Sequence, residues 1–174
     1  MTAGLARRLL HVRFAVQAAQ TPDRIAIRDP AGAVTYRELF AESGRIAGAL
    51  AARGIGPGSA VGLHMDRSIG YVAAMLGILG ARAAVVPLPP AYPEARLREI
   101  LGFARLDAVI VQDAALPASI DARALQIAEL RAEAEAAAPE GEGNPAQIAF
   151  VLSSSGSTGR PKLIARSHGS FFHR

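Results

Sequence analysis

The chain has 174 residues, an apolar fraction of 51%, no cysteine and a formal charge of +4. Such a composition suits one domain or a sizeable piece of a larger one, and it excludes disorder, disulfides, thiolate nucleophiles and cysteine-ligated metals. The positive charge is spread over scattered arginines without a basic run interleaved with aromatics, so nucleic acid is not an expected partner. Within the first 22 residues Arg7, Arg8 and Arg13 occur without an acid, yet no long apolar core or small-residue cleavage site follows. An N-terminal helix is therefore expected in place of a targeting segment.

Residues 9–20 read as that helix, ended by Thr21-Pro22-Asp23. A short strand follows at 24–28, and Pro30-Ala31-Gly32 makes a turn. Thr35 with Glu38 three residues on is a capping box, and Tyr36, Leu39, Phe40, Ile46, Ala47 and Leu50 recur at helical spacing. Gly54 is a natural C-terminal stop, and Gly56-Pro57-Gly58 turns into a strand at 60–64. Asp66 and Arg67, after a strand end, read as a turn ion pair in preference to the lining of a ligand crevice. Ser68 can cap an apolar helix over 69–81, too short for the roughly 20 residues of a membrane span, so a buried helix and a soluble protein are expected.

A buried strand at 83–88, the breaker Pro89-Pro90-Ala91-Tyr92-Pro93, a helix at 94–105 and a strand at 108–111 come next. Beyond them lie a short strand near 124–127, an Ala/Glu helix at 129–138 and a solvated linker near 139–146. Residues 147–152 form the last clear strand, 163–166 a returning one, and Ser167 or His168 starts a helix. Strands of continuous apolar character alternating with helices predict an α/β fold: layered, with a mostly parallel sheet. The four histidines His11, His64, His168 and His173 share no metal-binding spacing and are expected to serve surface or core roles. Tyr36 and Tyr92 read as packing residues.

Chemistry concentrates in Ser153-Ser154-Ser155-Gly156-Ser157-Thr158-Gly159-Arg160-Pro161-Lys162. Lys162 is the sole lysine beside eighteen arginines. Two glycines let the backbone turn sharply, successive N–H groups and the hydroxyls of Ser154, Ser155, Ser157 and Thr158 offer donors, and Lys162 adds a compact positive charge. The loop follows a buried strand, where α/β proteins place ligand sites. It matches neither Walker A nor GxGxxG spacing, so a phosphate-binding loop of another kind competes with a plain polar loop.

The run from Ser154 to Lys162 resembles the signature of the adenylate-forming (AMP-binding) enzyme superfamily, Thr/Ser-Ser-Gly-Ser/Thr-Thr-Gly-x-Pro-Lys. Val34-Thr35-Tyr36-Arg37-Glu38-Leu39 is similar to the first core motif of that family. Leu79-Gly80-Ala81 through Pro87, with Pro90-Ala91-Tyr92-Pro93 and Arg96-Leu97, is similar to the second. Thr21-Pro22-Asp23-Arg24-Ile25-Ala26 matches the usual opening, so the resemblance covers nearly the whole chain. Pro89 stands where the family usually has an acidic or amide residue, and Leu163 replaces the common glycine. Leu163-Ile164 with Arg166 and His168 resembles aryl-acid-activating members, whereas Tyr92-Pro93 with Arg96-Leu97 resembles amino-acid-activating domains of nonribosomal peptide synthetases.

This resemblance implies an ATP-dependent ligase that joins a carboxylic or amino acid to AMP and passes it to a thiol, either coenzyme A or phosphopantetheine on a carrier protein. Ser154, Ser155, Gly156, Ser157, Thr158, Gly159 and Lys162 would hold the ATP phosphates, with Mg2+ arriving on ATP. It also implies that 1–174 is the N-terminal portion of the family's large domain, because the acyl pocket, the adenine and ribose contacts and the mobile domain with its catalytic lysine lie downstream. Catalytically silent behaviour of the isolated chain, a cytoplasmic location, and no membrane or nucleic-acid partner are the accompanying expectations. A non-catalytic remnant or a phosphate- or nucleotide-binding α/β module is the alternative.

Overall fold

The computed structural model describes residues 8–112, 116–117, 120–133, 143–155 and 161–172. Leu10–Gln20 forms α1, and Ile25–Asp29 (β1) pairs antiparallel with Gly32–Thr35 (β2). One Asp29 oxygen accepts from the Ala31 and Gly32 N–H groups at 2.8 and 3.1 Å, closing the turn. The other accepts from Ile69 N at 2.9 Å, tying this small hairpin to the body of the chain. At the start of α2 (Tyr36–Ala52) the Thr35 hydroxyl accepts from Glu38 N, and the Glu38 carboxylate accepts from Thr35 N. The capping box thus forms as expected. Gly54, at φ +78°, ends α2: its N–H donates to Ala51 O while Ile55 N–H donates to Leu50 O, a pattern that suits glycine's freedom in the left-handed region.

Alternation then sets in with β3 (Ala60–His64), α3 (Ile69–Gly80), β4 (Ala84–Pro87), α4 (Glu94–Phe103) and β5 (Ala108–Val111). β6 (Ala124–Gln126), α5 (Ile127–Ala132), β7 (Ile148–Ser155) and β8 (Pro161–Ser167) follow, and a 3-10 helix, His168–Phe171, comes after β8. Six strands form one sheet in the order β6-β5-β3-β4-β7-β8. Its neighbours run parallel except β7 and β8, which form an antiparallel hairpin. The layered α/β fold with a mostly parallel sheet is therefore the one observed.

Side-chain alternation along the strands sorts the core into two faces. Val61, Leu63, Val85, Ala108 and Ile110 pack with Leu39, Ile46, Leu50 and Ile78 of α2 and α3. On the other face Val86, Leu88, Val109 and Val111 meet Leu97 and Ile100 of α4. α2 and α3 cross closely at Gly77, where a Cβ would lie 2.5 Å from Ile46 Cγ2 and 3.2 Å from Ser43 O. Any larger residue there would force the helices apart. α5 is held against α2 by two part-buried pairs, Arg53 with Glu133 and Arg131 with Glu42.

Several boundaries differ from the reading of the sequence. Helix α5 starts directly after β6, at Ile127, and ends at Ala132; residues 134–138 of the expected helix, and 139–142 of the expected linker, lie outside the described residues. Gly143 to Gln147 is a turn in which Gln147 N donates to Asn144 O at 2.8 Å, and Pro145 O accepts from Gly169 N at 2.8 Å. Phe40, expected on the buried face of α2, is 48% exposed although its ring lies 6.4 Å from that of Phe14. Asp66 and Arg67 are exposed and form no ion pair with each other; the Asp66 carbonyl accepts from the Ser68 hydroxyl instead.

Candidate phosphate-binding site

Because β3, β4 and β7 run parallel, the segments that leave them emerge along one edge of the sheet. α3 follows β3 onto one face, and α4 follows β4 onto the other. Chains that part in this way leave a crevice at the carboxyl ends of the strands, the usual ligand position in open α/β sheets. β7 carries the Ser/Gly loop to that edge. Its partner β8 brings the chain back in a register that sets Ser153 opposite Leu163, Ser154 opposite Lys162 and Ser155 opposite Pro161. The Ser154 hydroxyl donates to the Lys162 carbonyl at 3.4 Å, while the Lys162 side chain is exposed.

Ser154, Ser155 and Lys162 are thus brought together at the mouth of the hairpin. The other candidate residues, Gly156, Ser157, Thr158 and Gly159, lie outside the described residues, as does Arg160. In the described portion the exposed Lys162 cation suits an anion, while the Ser154 hydroxyl donates within the hairpin. Among the described residues no group of three or more His, Asp or Glu is placed to hold a metal ion. A cavity of about 200 Å3 does occur at the other end of the strands, between Ser59, Arg82, Gln147 and Val151, away from this loop.

One contributor was not singled out by sequence reasoning. Arg96, on the first turn of α4, donates from Nη2 to the Ser154 carbonyl at 3.4 Å and so links the α4 layer to β7. Its place beside Leu97 was visible as a motif match, but its reach across 58 residues to β7 was not. Tyr92 packs into the α4-side core, and Tyr36 lies 6.0 Å from Phe14, as packing residues should. Pro89 fills its unusual position without cost to the turn, since the turn needs its carbonyl, which accepts from Tyr92 N at 3.0 Å. Leu163 adds apolar contact to the same core, a role glycine cannot fill.

The described histidines take structural parts. His64 Nδ1 lies 2.8 Å from the Leu88 carbonyl in a buried contact. His168 is 1% exposed, and its Nδ1 accepts from Leu10 N at 3.2 Å. His173 lies outside the described residues. Arg166 sits over the Phe171 ring, 5.8 Å from its centroid.

A mostly parallel sheet that ends in an antiparallel β7–β8 pair, with helices packed on both faces, defines a layered class of α/β protein. Comparison with known proteins makes the assignment specific. The family described as AMP-binding enzyme matches residues 14–174, and the chain belongs to that family. The AMB antimetabolite synthetase AmbB of Pseudomonas aeruginosa is 37% identical over 167 residues, which is 94% of this chain and 13% of that protein. The structure of VinN with 3-methylaspartate superposes with a TM-score of 0.84 at 29% identity, covering 92% of this chain and 48% of VinN. The nonribosomal peptide synthetase FmoA3, in its alpha-methyl-L-serine-AMP-bound form, superposes with a TM-score of 0.81 at 32% identity, covering 92% of this chain and 18% of FmoA3. The chain therefore spans less than half the length of these relatives.

Proposed function

We propose that this chain supplies the phosphate-binding hairpin of an ATP-dependent ligase that activates an amino acid as its adenylate. The observation that carries the reading is the register of β7 and β8, which sets Ser154 opposite Lys162 at the mouth of the Ser/Gly loop. In this reading Ser154, Ser155, Gly156, Ser157, Thr158 and Gly159 close on the β- and γ-phosphates, and Lys162 holds them by charge. Arg96 positions the end of β7 through the Ser154 carbonyl. A carboxylate oxygen attacks the α-phosphorus, the bond to the bridging oxygen breaks, and pyrophosphate leaves with that electron pair. Preorganised positive charge along the departing phosphates lowers this barrier. Mg2+ enters as the partner of ATP, and the adenylate passes to a thiol, a phosphopantetheine arm on a carrier protein or coenzyme A.

An amino acid is favoured over an aryl acid because Arg166 and His168, the pair that resembles aryl-acid enzymes, are engaged elsewhere. Arg166 covers Phe171, and His168 meets the start of α1. VinN with 3-methylaspartate and FmoA3 with alpha-methyl-L-serine-AMP, at 29% and 32% identity, support this reading over the 25% identical NpsA subdomain of Klebsiella oxytoca with 3-hydroxybenzoyl-AMSN. Residues 1–174 are read as one partial adenylation domain, with a cytoplasmic location resting on the cysteine-free composition. No described helix is long and apolar enough to cross a membrane.

ATP–pyrophosphate exchange tests the proposal, with a panel of amino and aryl acids and a ligase containing this chain. Lys162→Ala is expected to lower acid-dependent exchange about a hundredfold, the size of effect seen when one preorganised charge-stabilising donor is lost. Unchanged exchange would remove Lys162 from the phosphate site. Activation of aryl acids alone would overturn the substrate class. Acid-dependent exchange by the 174 residues by themselves would show that the chain is more than the phosphate side of the site.

A further inference from the structure

Helix α1 begins without a cap of its own. Leu9 occupies the N-cap position, and no side chain there accepts from the first turn. The missing acceptor comes from far along the chain: His168 Nδ1 receives the Leu10 N–H at 3.2 Å. An imidazole nitrogen accepts only when it carries no proton, so this bond requires neutral His168 with its hydrogen on Nε2. The ring is 1% exposed, and the ring of His11, one residue further along α1, meets it edge-on at 5.5 Å between centroids. His11 Nδ1 is itself buried without a hydrogen-bond partner.

Among the described residues the charges named for this pair act in one direction, and Arg8 lines a cavity with Ser167 and Gly169 on either side of His168. Arg82, in the turn after α3, and His168, from the 3-10 helix, both oppose a positive charge on His11. Arg13 lies one half-turn further along α1, and Arg166 lies near the end of β8. The positive end of the α1 macrodipole points at His168 Nδ1. No carboxylate is hydrogen-bonded or ion-paired to either imidazole among the described residues. A proton on His168 would set N–H against N–H, and a proton on His11 would be a buried charge with no counterion among the described residues.

We propose that His11 and His168 form a proton-sensitive clasp that fastens α1 to the end of β8 while both rings are neutral and releases it on acidification. Burial, followed by His168 and Arg82, lowers the pKa of His11 from 6.5 to about 4, and burial lowers that of His168 too. For a histidine depressed on folding, the stabilisation is complete above the unfolded value and fades as pH falls from there towards the folded value. Docking of α1 therefore weakens as pH falls from 6.5 towards about 4 through His11, approaching about tenfold per pH unit, and His168 adds in the same direction. β8 runs from the Ser/Gly loop to His168, so release also frees the far end of the strand that carries Lys162.

The test is NMR on the 174-residue chain: histidine ring titration together with amide-exchange protection of Leu10–Gln20, corrected for the intrinsic pH dependence of exchange. The expected result is loss of protection in α1 between pH 6.5 and about 4, ahead of the β3 and β5 amides, with both rings titrating below 6.5. The double variant His11→Phe and His168→Asn keeps a ring at one site and an acceptor at the other, and should hold α1 protection level across that window. Ring titration near 6.5 with α1 still protected, or the same pH-dependent loss in the double variant, would overturn the clasp. Should the double variant not fold, the wild-type titration alone decides between these outcomes.

Discussion

The centre of the sheet and the β7–β8 hairpin belong to one sheet yet face different demands. Val61, Leu63, Ala108, Val109, Ile110 and Val111 are all fully buried between helix layers. On the hairpin Leu152 is 38% exposed and Ile164, its cross-strand partner, 46%, with Lys162 in the open. Parallel strands persist where both faces are covered; an antiparallel pair tolerates one open face. β8 is also an edge strand, and it carries Pro161 at its first position and two cations, Lys162 and Arg166, features that discourage edge-to-edge pairing. Buried and open parts of the sheet are thereby separated, and stability is invested in the buried centre.

That separation can be broken by paired substitutions. Leu63→Ala in the centre is expected to cost about 3 kcal/mol in urea unfolding, as buried leucines do, while Leu152→Ser on the hairpin stays within about 0.5 kcal/mol. Equal losses at the two positions would erase the contrast. A smaller effect is expected at the start of α2, where Thr35→Ala removes one half of the capping box and should cost about 1 kcal/mol in the same measurement. Smallest is the link between the β1–β2 hairpin and α3. The Ile69 N–H, then those of Ala31 and Gly32, hold the Asp29 carboxyl below its ordinary value of 3.8. The ionised carboxylate thus stabilises the fold above that value, and the contribution disappears as pH falls through the lowered one. Asp29→Asn should flatten the acid limb of a stability–pH curve and leave the centre of the sheet unaltered; an unchanged acid limb would deny Asp29 this role.

Local chemistry made much of this molecule legible before its structure. The capping box of Thr35 and Glu38, the stop at Gly54, the Ser68 cap and strands 60–64 and 108–111 all depend on neighbours within a few residues, and all formed where expected. The family resemblance carried by the run from Ser154 to Lys162 was likewise readable, since its motif is contiguous. What escaped were bonds between distant segments: Arg96 reaching Ser154, the Arg–Glu pairs that hold α5, and His168 capping a helix 158 residues earlier. The exposure of Phe40 escaped for the same reason, because helical spacing reports a face but not how far the neighbouring layer extends.

The amino-acid sequence by itself determined most element types and the parallel α/β class, because periodicity and caps are short-range properties. Tertiary structure decided which strands adjoin, that β8 turns back antiparallel to set Lys162 opposite Ser154, and that two histidines from opposite ends of the chain share one buried contact. Those outcomes depend on closing long loops between apolar surfaces, and no local residue pattern encodes which surfaces will meet.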